Sequence, residues 1–110
     1  KEYRYRKEII KKLCQQYNIK CFFSIHPSFY LVKGLISKSD KEIRNFFTKN
    51  FPFNQKIFEY GYNLILNDVD VYDLSGIFDN KNEIYFDDAH TNITGSKILG
   101  EEIFKIIKSN

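Results

Sequence analysis

Residues 19–26, Ile-Lys-Cys-Phe-Phe-Ser-Ile-His, are nearly all apolar, β-branched or aromatic, and the run is short. Such a segment fits a strand covered on both faces, as in a parallel sheet. Pro27 ends it, because proline gives no amide to a ladder. A second run, Val69-Asp-Val71-Tyr-Asp-Leu74, alternates enough to be another strand. A third strand at Ile84–Phe86 is weakly indicated.

Helical patterns surround these runs. Over residues 2–17, Tyr3, Arg6, Ile10, Leu13 and Tyr17 fall close to one face. A loop around Gly34 leads to Ser39-Asp-Lys-Glu42, which reads as a capping box. Ile43, Phe46 and Phe47 give the stripe of the helix that follows, and Pro52 breaks it. Residues 54–66 read as a further helix with Ile57, Phe58, Gly61, Leu64 and Ile65 inward. Gly76 to Asn82 is turn-rich, and the last helix starts near Ile93. The alternation points to an α/β layer with a parallel sheet. Two strands do not make a self-sufficient sheet, so part of the domain is expected to lie elsewhere. The absence of methionine, and an opening on Lys1, fit a processed product or a fragment.

A chain of 110 residues is one small domain, able to bury roughly 65% of its unfolded surface. Its 43% apolar and 17% aromatic content argue against disorder. Cys14 falls in a helix and Cys21 in a strand, so both are expected as buried free thiols, favouring a reducing, cytoplasmic-type compartment. No run of ~18 apolar residues spans a membrane. The basic cluster Lys1, Arg4, Arg6, Lys7, Lys11 and Lys12 could meet phosphate, but it reads more simply as a solvated face, with no nucleic-acid motif beside it.

The chemistry concentrates in Ile84-Tyr-Phe-Asp87-Asp88-Ala-His90-Thr-Asn-Ile-Thr94-Gly95. A carboxylate three residues before an imidazole can accept its Nδ1–H, fix the tautomer and stabilise the imidazolium. The simpler alternative is that Asp87 and Asp88 end a strand and cap a helix. His26 ends a strand beside Pro27, where a parallel sheet presents ligands. It is either part of a substrate cleft or a histidine satisfied by backbone. A metal site from His26, His90 and an aspartate has no recognisable spacing. Gly95 and Gly100 read as aids to helix packing and helix start.

This last block, continued through Ser-Lys-Ile-Leu-Gly100-Glu-Glu-Ile, resembles the final block of the SGNH (GDSL-like) hydrolases. Phe22-Phe-Ser-Ile-His26-Pro27 and Val71-Tyr-Asp73-Leu74 through Phe78 are similar to upstream stretches of that family, so the resemblance spans roughly residues 20–110. It implies a three-layer, flavodoxin-like α/β fold with a parallel sheet. Residues 1–110 would be the C-terminal part of one esterase domain, with about two or three strands and four helices. It implies an ester hydrolase acting on acyl groups, carbohydrate- or lipid-linked among them. His90 would be general base and Asp87 its partner, and neither a metal nor an organic cofactor would be needed. Asp88 occupies a variable position. No Gly-Asp-Ser block and no asparagine block occur. The nucleophile and oxyanion donors would come from a missing N-terminal half, and the chain alone would be inactive. The competing expectation is a non-catalytic α/β domain that binds a partner and uses Asp87 and His90 structurally.

Overall fold

The computed structural model describes residues 2–68 and 70–110. Lys1 of the basic cluster and Val69 of the expected second strand lie outside them. Four helices dominate: α1 (Glu2–Gln16), α2 (Lys38–Asn50), α3 (Asn54–Ile65) and α4 (Ile93–Ser109). Among the described residues a single sheet joins β1 (Phe23–Ile25) to β2 (Val71–Asp73). The pair is parallel, with Phe23 opposite Val71 and Ile25 opposite Asp73, and the crossover carries α2 and α3.

The three-layer flavodoxin-like fold is therefore corrected. The described residues are mostly helical, with two strands of three residues each. Residues 19–22 and 26 have strand-like side chains but, among the described residues, no neighbour to pair with. A strand extends only as far as its partner does. Nor is the sheet covered on both faces, since Ser24 and Asp73 are exposed. Ile84–Phe86 is no third strand either. Only Tyr85 bridges, antiparallel, to Thr91.

The core lies outside the sheet. Phe29, Val32, Leu35, Phe78, Ile84 and Tyr85 are buried together, flanked by Ile43 on α2 and by Ile98 and Leu99 on α4. Phe29 and Phe78 each meet the Tyr85 ring edge-on, with centroids 5.4 and 5.6 Å apart. Such pairs add about 0.5–1.5 kcal/mol beyond their burial.

Polar clamps hold these connecting segments. The Asn82 carboxamide oxygen accepts from the amides of Ile36 and Ser37 at 2.6 and 2.8 Å. Ser37, not Ser39, caps α2, accepting from the Asp40 amide. The reason is Asp40: this fully buried carboxylate accepts from the Ser37 hydroxyl and from the Glu83 amide. The 82–83 segment is thereby docked on the start of α2.

The cysteines are also corrected. Cys14 and Cys21 form a disulfide, with Cα atoms 6.3 Å apart. The helix end brings this about. Asn18 takes a positive φ of 53°, and the Ile19 amide reaches back to the Cys14 carbonyl at 2.8 Å. That is a Schellman reversal, and it returns residue 21 to the side of residue 14.

Candidate functional site

Residues 84–92 form a narrow loop closed at its base. The Asn92 amide donates to the Ile84 carbonyl at 2.7 Å, and the Phe86 amide to the His90 carbonyl at 2.8 Å. Asn92 then caps α4 by accepting from the Gly95 amide at 2.9 Å. Gly95 is required there. A Cβ on it would lie 2.6 Å from Ile84 Cγ2 and 2.9 Å from Thr91 Cβ. Gly100 has no such neighbour, so its expected packing role is corrected: a side chain there would meet open space.

Asp87 and His90 come together at the loop's tip. His90 Nδ1 lies 2.8 Å from Asp87 Oδ2 and 3.2 Å from Oδ1. Asp87 Oδ1 also accepts from the amides of His90 and Ala89, at 2.7 and 2.8 Å. One carboxylate thus closes the turn and orients the ring. The imidazole stays solvent-facing, with its side chain 79% exposed. The His90 amide, then that of Ala89, then the ring hold Asp87 down to about 2. The hydrogen bond and charge of Asp87 raise His90 above its ordinary value, and the charge of Asp88 adds to this. Among the described residues the ring hydrogen-bonds only to Asp87. No serine hydroxyl is placed against it.

Asp88 does something different. Its Oδ2 accepts from the Tyr30 hydroxyl at 2.6 Å, and Asn54 at the start of α3 donates to that hydroxyl at 3.1 Å. Burial, then the bond to Asp88, raises the Tyr30 phenol. The His90 loop is thereby tied to the 3-10 turn Phe29–Leu31 and to α3. Sequence reasoning missed Tyr30 and Asn54. No local pattern marks them, since they lie 58 and 24 positions from their partners.

His26 is exposed and lines an apolar cavity of about 520 Å³ that Asp88 and Ala89 also line. The structure thus brings His26 to the same cavity as the tip of the His90 loop. Among the described residues no three His, Cys, Asp or Glu side chains converge to hold a metal ion. No described helix is long and apolar enough to cross a membrane. In the basic cluster, Arg4 and Lys7 pair with Asp68, and Lys11 with Asp70.

The chain matches no family model, no curated protein and no solved structure.

Proposed function

We propose that this chain supplies the acid–base half of a serine-type acyl-ester hydrolase of the SGNH kind, with His90 as general base and Asp87 as its orienting partner. The observation that carries the reading is the 2.8 Å contact from His90 Nδ1 to Asp87 Oδ2, on a loop that leaves the ring open to solvent. The Asp-x-x-His block supports it as a resemblance.

In this scheme Nδ1–H faces the carboxylate and Nε2 is the free base. Nε2 takes the proton of a serine hydroxyl as its oxygen attacks the acyl carbon. It returns that proton to the departing alcohol, and a water repeats the cycle to release the acid. The serine and the oxyanion donors belong to an upstream segment of the parent protein. No metal or organic cofactor enters these steps. The isolated chain is expected to show no measurable esterase activity. A parent carrying the upstream segment is expected to hydrolyse simple acetyl esters, and His90→Ala to lower its kcat on the order of 10⁴-fold. A His90→Ala parent that kept the wild-type rate would remove the assignment.

A second reading, a non-catalytic partner-binding domain, draws on the unburied apolar side chains of α1, among them Tyr5, Ile9, Ile10 and Leu13. Upstream coding sequence without a serine block would favour it.

A further inference from the structure

Two cavities meet along α3. The one of about 520 Å³ reaches Ile57 and Phe58 and carries His26, Asp88 and Ala89. The other, about 440 Å³, reaches Arg4 and Leu64. Tyr3, Gly61 and Ile65 line both. The two cavities thus adjoin at these residues, and together they follow α3 for two turns of helix, from Ile57 to Leu64, a length of about 10 Å.

Gly61 is the informative residue. A glycine inside a helix costs about 1 kcal/mol relative to alanine. A Cβ built on Gly61 meets nothing within 4 Å, so no packing neighbour demands glycine. What its lack of a side chain does is keep the floor of the groove open where the two cavities join.

We propose that this groove holds one unbranched aliphatic chain, with a neutral oxygen-bearing head at the end formed by His26 and Asp88. The long, mostly apolar walls suit an alkyl chain. The Asp88 carboxylate at the head end disfavours a second carboxylate there, so an alcohol or ester is preferred over the free acid. The further identification of that chain as the acyl part of a substrate rests on the ester-hydrolase reading, whereas binding itself does not.

The test is equilibrium binding of decanol, decanoate and adamantanemethanol to the full chain. Decanol is expected to bind saturably, with decanoate and the cage-shaped alcohol roughly tenfold weaker. Gly61→Leu fills the groove with a better helix former, so it is expected to weaken decanol binding roughly tenfold or more without lowering the Tm. Should that variant melt early, Ile57→Gln gives the same readout, since Ile57 is 63% exposed and its exchange leaves the core intact. His90→Ala is expected to bind decanol as wild type does, so a failed hydrolase assay and a failed binding assay remain distinct. Three results overturn the proposal: no saturable decanol binding, equal binding by wild type and both groove variants, or a groove occupied by a second copy, shown by sedimentation that Gly61→Leu shifts toward monomer.

Discussion

At the residue scale, Asp87 does two jobs with one side chain, and its titration separates them. Its carboxyl is held near 2, so its contribution to the fold is complete above the ordinary carboxylate value and is lost as pH falls through about 2. His90 has the opposite sign. Its raised value means a contribution present below the ordinary imidazole range and lost as pH rises through the raised value. Asp87→Asn removes the partner charge. The His90 titration followed by NMR is then expected to move to lower pH, and the acid limb of any parent esterase profile to move with it. An unchanged His90 titration would mean that the pair does not interact in solution. This contact was legible in the Asp-x-x-His spacing because both groups belong to one turn. Tyr30 was not, because its link to Asp88 exists only once distant segments meet.

Helix positions were legible at the element scale, since caps, breakers and stripes act within a turn or two. The expected helices at 2–17, 54–66 and from Ile93 lie close to α1, α3 and α4. The two glycines of α4 look alike in sequence and differ in space. Gly95→Ala pushes a methyl into Ile84 and Thr91, with an expected cost of about 1–3 kcal/mol. Gly100→Ala meets open space and is expected to stabilise by up to about 1 kcal/mol. Chemical denaturation of the two variants checks both signs, and equal effects would contradict the close approach at Gly95. The α1–β1 reversal gives another prediction. Opening the short loop between Cys14 and Cys21, by reduction or by Cys14→Ser with Cys21→Ser, is expected to cost about 2 kcal/mol. Identical melts of the oxidised and reduced chain would exclude that contribution.

Over the whole molecule, the chain is more open than its length requires. Its radius of gyration is 15.8 Å, against about 13 Å for a compact domain of this length. Its 8213 Å² of accessible surface exceeds by about 1,800 Å² the roughly 6,400 Å² typical of a folded monomer of this mass. Large apolar side chains, among them Phe53, Ile93 and Phe104, are exposed, and among the described residues the sheet leaves both outer edges unpaired. The isolated chain is therefore expected to associate with rising concentration in sedimentation velocity, and to bind an apolar dye. A dilution-independent monomer with a cooperative melt would show that this surface needs no cover. The residue order by itself determined the helices and the Asp87–His90 turn, because each depends on groups within a few positions of one another. Tertiary structure alone decided the length of the strands, the pairing of the cysteines and the place of the core around Phe29, Phe78 and Tyr85. Those depend on which distant segment arrives to exclude water, and no local pattern carries that information.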